Sequence, residues 1–217
     1  NDGPRSAWFE PCIHSTYFQI LAGLLASRGL AMPRSYAGAA RLLPLLDFLP
    51  LIDVLGAPPD AQAGVEVGST IVGAAHGPMG LAAMTSETLH SAMDTVARYA
   101  PIRNRMFDYA CRQEGRTAAL SMRARMPLGD YQPFLQAATL FAIFNVFRAV
   151  LDQDTVEQGL ICLPWPEPPG GTRSPCPVRH RCAELAICFP LPLAARRLAS
   201  ADADSHQRLC RAGEEEL

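Results

Sequence analysis

One long apolar stretch, FLQAATLFAIFNVFRAVL from Phe134 to Leu151, limits the folds that this chain can adopt. Its length invites comparison with a membrane span, but four polar residues interrupt it: Gln136, Thr139, Asn145 and Arg148. Such groups are costly in lipid, so we expect no membrane span. Pro133 suits the first turn of a helix, where its missing N–H costs nothing. The stretch therefore predicts a long buried helix that needs cover on nearly all sides.

An alternating pattern before this helix predicts a β-hairpin. The runs MFDYACRQ and TAALSMRARM flank a Glu-Gly pair, and Phe107, Tyr109 and Cys111 share one face of the first run. Two later apolar runs, GLICLPWP and AELAICFPLP, predict further strands. The whole pattern predicts an α+β fold, in which an antiparallel hairpin-based sheet packs with several helices and the long buried helix.

Other helices are predicted in the first third of the chain. Residues 15–30 carry apolar side chains at helical spacing and stop near Gly29. Pro44 and Pro50 cut the next apolar run into short helices. Residues 64–80 are rich in glycine and predict either a short helix with a loop or an edge strand.

The segment TSETLHSAMDTVARYAPIRN predicts one further amphipathic helix. Thr85 or Ser86 supplies a side chain suited to the N-cap. The apolar spacing continues to about Tyr99. We expect Pro101 to end the helix and a basic segment to follow it.

The composition excludes several classes of protein. With 49% apolar and 18% charged residues, the chain can bury a core and is not disordered. A formal net charge of -2 argues against a free-standing nucleic-acid binder, which needs a basic surplus. Seven scattered cysteines indicate reduced thiols. Together with the lack of a signal-peptide pattern, they predict a cytoplasmic protein.

A cluster of Cys176, His180, Cys182 and Cys188 raises the hypothesis of a zinc site. Its spacing matches no standard structural zinc site, so we interpret these cysteines as small buried side chains and predict no metal. The chain has no phosphate-binding loop, no GxGxxG and no GxSxG motif. We therefore expect no cofactor and assign no catalytic residue.

Polar residues inside the long apolar helix suggest a small-molecule pocket. Asn145 and Arg148 lie among phenylalanines and need partners, water or a ligand. If Arg148 faces a pocket, a carboxylate is the expected polar end of the ligand. The alternative is a core helix with one solvent-facing strip, and a satisfied loop histidine is the alternative for His76. The predicted site, beside this helix and against the hairpin, contains His76, Tyr109, Phe141, Phe144, Asn145 and Arg148.

Three segments resemble parts of a known family and occur in the right order along the chain. The family is the N-terminal, arabinose-binding-like effector domain of AraC/XylS-type transcriptional regulators, and the segments are STYFQILAGLLASRGL, GPMGLAAMTSETLHSAMDTVARYAPIRN and CPVRHRCAELAICFPLPLAARRL. The resemblance covers about residues 15–200. The chain departs from the pattern at His180, where the family usually has an aromatic residue, and in a proline-rich loop at 167–174.

The resemblance implies a ligand-sensing regulatory domain of a bacterial transcription factor. Residues 1–14 are then a loose leader, 15–200 an effector-binding and dimerisation domain, and 201–217 the start of a linker toward a helix-turn-helix half that is absent. The implied partners are a small-molecule effector and a second copy in a homodimer, with DNA reached only through the absent C-terminal domain. Two alternatives stay open: an enzyme acting on a small apolar acid, and a dimerisation module without a ligand.

Overall fold

A computed structural model describes residues 6–31 and 41–216 of the chain. The first residues of the expected leader and the start of the proline-cut segment lie outside these ranges. The helices of the described part are α1 (Ser15–Ser27), α2 (Leu45–Ile52), α3 (Ala61–Thr70), α4 (Pro78–Met84), α5 (Leu89–Arg103), α6 (Gln132–Arg148), α7 (Gln153–Glu157), α8 (Leu191–Ala194) and α9 (Ala203–Glu214). Its strands are β1 (Pro11–His14), β2 (Leu42–Pro44), β3 (Phe107–Glu114), β4 (Thr117–Ala124), β5 (Leu160–Cys162), β6 (Val178–Arg179) and β7 (Leu185–Pro190).

The expected α+β fold and its hairpin are confirmed. Strands β3 and β4 pair antiparallel from Phe107 opposite Ala124 to Glu114 opposite Thr117. Gly115, in the connecting turn, has a positive φ of 58° that favours glycine. The sheet has the order β3-β4-β7-β5-β6, in which the short β5-β6 pair is parallel, and β1 and β2 form a separate antiparallel pair.

Helix α6 is the predicted long buried helix, and it packs closely against α3. A Cβ atom on Gly64 would lie 2.3 Å from the carbonyl oxygen of Phe134, and one on Gly68 would lie 2.4 Å from that of Ala138. These two glycines therefore let the helix backbones approach more closely than any side chain allows. The glycine-rich segment is a helix here, not an edge strand.

The start and end of α5 differ from the prediction. Thr88 is the N-cap and forms a capping box with Ser91. The hydroxyls of Thr85 and Ser86 instead donate back to carbonyl groups of α4. Prediction of the helix end at Pro101 was also wrong, because α5 continues through this proline to Arg103. Ile102 and Arg103 of its last turn are buried, and the Asn104 N–H still donates to the carbonyl of Ala100 at 2.9 Å.

The GPMG turn between α3 and α5 is a scaffold for close packing. Gly77 has φ 63° and ψ -144°, a conformation almost confined to glycine. Pro78 begins α4, where its missing N–H is harmless. A Cβ on Gly80 would lie 2.1 Å from the carbonyl oxygen of Gly73, so α4 packs directly on the 3-10 helix Gly73–His76.

The C-terminal segment forms a helix that packs on the rest of the domain. In α9, the Nδ1 atom of His206 lies 2.8 Å from the carbonyl oxygen of Ala82 in α4. The Tyr99 hydroxyl of α5 donates to Glu214, and Arg98 forms an ion pair with the same carboxylate at 2.6 Å. Among the described helices, none combines the length and the apolar character that crossing a bilayer requires.

Candidate ligand-binding cavity

A cavity lies beside α6 and reaches the start of the hairpin. The space free of protein atoms is about 730 Å³, including any part open to solvent. Most of its wall is aliphatic or aromatic, and the polar groups gather in one part of it. The lining residues are Ile13, Tyr17, Ile20, Leu21, Phe48, Ile52, Val67, Ile71, His76, Met79, Ala100, Arg103, Asn104, Met106, Tyr109, Phe134, Leu135, Ala138, Thr139, Ala142 and Ile143.

Small side chains on one face of α6 leave the space open. Ala138, Thr139 and Ala142 line the cavity together with the larger Phe134, Leu135 and Ile143, whereas the phenylalanines on other faces of α6 fill the surrounding core. Residues four apart on a helix lie one above the other, so Ala138 and Ala142 form a short stripe without bulk. These alanines thus add little bulk to a wall in which Phe134, Leu135 and Ile143 also take part.

A hydrogen-bonded pair, Tyr17 and His76, forms part of the polar end. The Tyr17 hydroxyl lies 2.6 Å from Nδ1 of His76, and Nε2 of His76 lies 3.2 Å from the carbonyl oxygen of Ala142. A carbonyl can only accept, so Nε2 carries the hydrogen and Nδ1 accepts from the Tyr17 hydroxyl. Both ring nitrogens of His76 are therefore engaged by the protein.

Burial keeps both of these groups neutral. It lowers the pKa of His76 to about 4, helped by the charge of Arg103, and the bond to Ala142 opposes this only partly. Burial also raises the pKa of Tyr17 to about 12, against a smaller lowering effect of the Arg103 guanidinium. At neutral pH the fixed charge at this end of the cavity is therefore that of Arg103.

Arg103, the last residue of α5, is a buried cation with few partners. Its side chain is 7% exposed, and one Nη atom donates to the carbonyl oxygen of Ala75 at 3.0 Å. Its Nε has no hydrogen-bond partner in the part of the chain that the structure describes. Within residues 6–31 and 41–216, no carboxylate forms an ion pair with it. Such a charge normally needs a counter-charge.

Gly77 lets the Arg103 guanidinium lie close to the backbone. A Cβ atom on this glycine would lie 3.2 Å from an Nη atom and 3.3 Å from Cζ of Arg103. The guanidinium thus lies directly against the backbone of the GPMG turn. The carbonyl end of α5 offsets part of the positive charge, because a helix carries partial negative charge at its C-terminus.

The remaining polar groups of the cavity wall satisfy one another. The Asn104 side chain donates to Thr139 at 3.2 Å and accepts from the Met106 N–H at 3.0 Å. The Tyr109 hydroxyl donates to the carbonyl of Asn104 at 3.3 Å, and burial raises its pKa well above the ordinary value. These residues offer hydroxyl and amide groups to a ligand but carry no charge.

The six residues of the predicted site separate into two groups. His76 and Tyr109 line the cavity. Phe141 packs beside Gly68, and Phe144 stacks on Phe189 with ring centroids 6.4 Å apart. Asn145 and Arg148 lie outside the lining too. Ligand binding by any of the six stays a prediction, and the residues predicted on α6 lie on a different face from the one that lines the cavity.

Asn145 and Arg148 are accommodated without a ligand. The amide of Asn145 lies 3.3, 2.9 and 3.1 Å from the carbonyl oxygens that end α3, those of Gly68, Ser69 and Ile71. Arg148 is exposed at the end of α6. The first is therefore a cap for a neighbouring helix, and the second is a surface charge.

Sequence reasoning missed Tyr17, Arg103 and Asn104. The assumption that Pro101 ends α5 placed Arg103 in a loop, whereas one more turn of helix brings it into line with Ala100 on the cavity wall. Two signals for these residues were available in the sequence. One is Ala138 and Ala142, four residues apart in α6, and the other is Arg103, three residues after the apolar Ala100 of α5.

The cysteine and histidine cluster is held by ordinary hydrogen bonds. His180 lies 3.2 Å from the Thr172 hydroxyl and 3.3 Å from the Trp165 carbonyl oxygen, and the Cys176 thiol lies 3.7 Å from the Ser174 hydroxyl. Across the described ranges, no group of three or more histidine, cysteine or acidic side chains is arranged to hold a metal ion.

Comparison with known proteins agrees with this architecture. A solved structure, that of the transcriptional regulator CdpR from Pseudomonas aeruginosa, matches with a TM-score of 0.71 and 19% identity. The match covers 95% of this chain and 65% of that one, so this chain spans less than two thirds of the regulator's length. No curated protein matches in sequence. The family model of the arabinose-binding N-terminal domain of AraC transcription regulators matches residues 22–198, and the chain belongs to this family.

Proposed function

We propose that this domain binds a small-molecule effector in the cavity beside α6 and controls a DNA-binding domain of the same regulator. The observation that carries the proposal is an apolar cavity with polar groups gathered in one part of its wall. This arrangement is typical of small-molecule sites. Membership of a family of regulatory domains supports a sensing role for such a cavity.

Two helices connect the cavity to the C-terminal helix. Helix α4 contributes Met79 to the cavity wall, and its Ala82 carbonyl contacts His206 of α9. Helix α5 contributes Arg103 to the wall, and its Tyr99 bonds Glu214 at the far end of α9. A shift of either helix on ligand binding therefore changes a contact of α9. We propose that α9 passes the state of the cavity toward the DNA-binding domain.

The same geometry disfavours the enzyme alternative. Burial lowers the pKa of His76 to about 4, which makes it a weak base, and its acceptor nitrogen Nδ1 faces the Tyr17 hydroxyl. We expect no turnover of small apolar acids. A homodimer remains part of the proposal from the family, and light scattering of the chain at high concentration tests it, with a monomer as the contrary result.

The test of sensing uses thermal unfolding with a small-molecule library and a cavity-filling variant. A ligand that binds the native state must raise the melting temperature. We expect stabilising compounds for the wild type and no stabilisation of Ala138→Leu, whose added side chain occupies the cavity. Equal stabilisation of both proteins would place binding elsewhere, and a complete lack of stabilising compounds would contradict the proposal.

Hydrogen exchange tests the coupling to α9. A bound ligand is expected to change the exchange rates of α9 amides as well as those of α4 and α5. In Tyr99→Phe, which lacks the bond to Glu214, the change at α9 should shrink while stabilisation by the ligand persists. Unchanged exchange at α9 in the liganded wild type would reject the proposed route.

A further inference from the structure

Among the described residues, one buried positive charge lies at the polar end of a mostly apolar cavity. The cation is Arg103, and its neighbours Tyr17 and His76 are both neutral at physiological pH. In the described part of the chain Arg103 donates to the carbonyl oxygen of Ala75, and the Tyr17 hydroxyl is the other group that it bonds. A buried guanidinium is more stable with an anion, because a charge taken out of water loses its hydration.

Packing holds the Arg103 guanidinium in place but does not use all of its hydrogen-bond donors within the described residues. The GPMG turn lies against its face at Gly77, and the Ala75 carbonyl takes one Nη donor. The Nε donor is buried and has no partner among residues 6–31 and 41–216. Nε together with one Nη forms the edge that binds carboxylates through two parallel hydrogen bonds.

We propose that the effector is a small apolar molecule with a single carboxylate, held by Arg103 while its apolar part lies along the alanine stripe of α6. This inference rests on the proposed function and specifies its ligand class. The Tyr17 hydroxyl gives its hydrogen to His76, so the donors to the carboxylate in this proposal are those of Arg103. An apolar tail is expected because the residues around the polar end are aliphatic or aromatic, such as Ile20, Phe134 and Ile143.

The proposal replaces Arg148 by Arg103 as the expected anion partner. Both are arginines at the C-terminal turn of a helix, and they differ in burial. Arg148 is exposed, so a carboxylate bound there competes with water and salt. Arg103 is screened from solvent, so each hydrogen bond to an anion is stronger.

Matched probes test the ligand class. Octanoate and 4-phenylbutyrate are compared by calorimetry with octanamide and 4-phenylbutanamide, which have nearly the same shape but no charge. Acetate measures the contribution of the carboxylate alone. We expect at least one carboxylate to bind the wild type about 10- to 100-fold more tightly than its amide, the range for a hydrogen bond to a charged group. Acetate should bind more weakly than either long carboxylate.

Two variants locate the counter-charge. Arg103→Met is expected to remove the preference for carboxylates while weak binding of the amides remains. Arg148→Met, the matched control, should keep the full preference. Should Arg103→Met fail to fold, Arg103→Lys keeps the charge without the planar edge, and we expect it to weaken carboxylate binding without abolishing the preference.

The outcomes separate this inference from the proposed function. Equal binding of carboxylates and amides by the wild type overturns the carboxylate assignment and leaves the sensing role intact. Loss of the preference in Arg148→Met instead of Arg103→Met overturns the assignment to Arg103. Acetate binding as tightly as octanoate overturns the apolar tail. If no probe and no library compound binds, both proposals fail together.

Discussion

Two polar sites next to α6 differ in how their polar groups are satisfied. At one, the amide of Asn145 meets three carbonyl groups that end α3, in a region where glycines bring the two helices together. At the other, Arg103 lies against the GPMG turn with one donor unused, beside a face of α6 that carries alanines. At the first site the protein supplies partners for the polar side chain, and at the second one buried donor has no partner among the described residues.

This difference shows what a polar residue in an apolar environment can indicate. A side chain such as Asn145 marks a structural cap when its partners are the backbone of a neighbouring helix. A side chain such as Arg103 indicates a binding site when it is buried, charged and incompletely partnered. Both look alike in the sequence, because the partners come from distant segments.

The largest expected effect tests the closely packed side of the comparison. Gly68→Ala places a Cβ 2.4 Å from the carbonyl oxygen of Ala138, so α3 and α6 must separate. We expect a loss of about 3 kcal/mol or more in the free energy of unfolding, measured by urea denaturation. Ala138→Leu, its control, adds more atoms on the cavity side and should cost under about 1 kcal/mol. A similar loss in both variants would mean that the cavity has no spare room.

Removal of the Asn145 cap is expected to have the next largest effect. Asn145→Leu leaves the carbonyl groups of Gly68, Ser69 and Ile71 without this donor. The free energy of unfolding should fall by about 2 to 3 kcal/mol, with carboxylate preference unchanged. Unchanged stability combined with lost ligand binding would instead support the original prediction that Asn145 faces the ligand.

Acid is expected to destabilise the polar end of the cavity through His76. Its pKa is lowered from 6.5 to about 4 in the folded protein, so the unfolded chain binds the proton first as the pH falls. The contribution of neutral His76 to the free energy of unfolding is complete above pH 6.5 and is lost as the pH falls from 6.5 to 4. We expect a loss on the order of 2 kcal/mol over this range.

Two variants separate the histidines that titrate in this range. His76→Gln should flatten the pH dependence of unfolding between pH 6.5 and 4. His14→Gln measures the share of the other histidine and should also flatten it in part, because burial and nearby arginines lower the pKa of His14 to about 4 too. An unchanged slope in His76→Gln would show that its protonation is not linked to folding.

The smallest expected effects concern the two arginines. Arg103→Met loses the bond to Ala75 but removes a buried charge, so the free energy of unfolding should stay within about 1 kcal/mol of wild type or exceed it. Arg148→Met changes an exposed side chain and should alter it by less than about 0.5 kcal/mol. A loss of several kcal/mol in Arg103→Met would show that Arg103 is structural, as Asn145 is.

Local patterns predicted most of the elements but not the site. The alternation around Gly115 predicted the hairpin, since strand pairing of this kind is decided by neighbouring residues. The end of α5 was missed because Pro101 was expected to stop the helix, although tertiary packing holds it in one more turn. That turn carries Arg103, so a one-turn error in a helix end concealed the charged residue of the cavity.

The sequence by itself determined the fold class, the buried helix α6 and the resemblance to a regulatory family, because apolar periodicity and short motifs are local properties of the chain. Only the tertiary structure decided which face of α6 is open and which is packed. It also brought Tyr17, His76 and Arg103 together from three separate segments. The physical reason is that burial and partnering depend on neighbours distant in sequence: Asn145 is satisfied by the end of α3, and Arg103 lacks a carboxylate among the described residues.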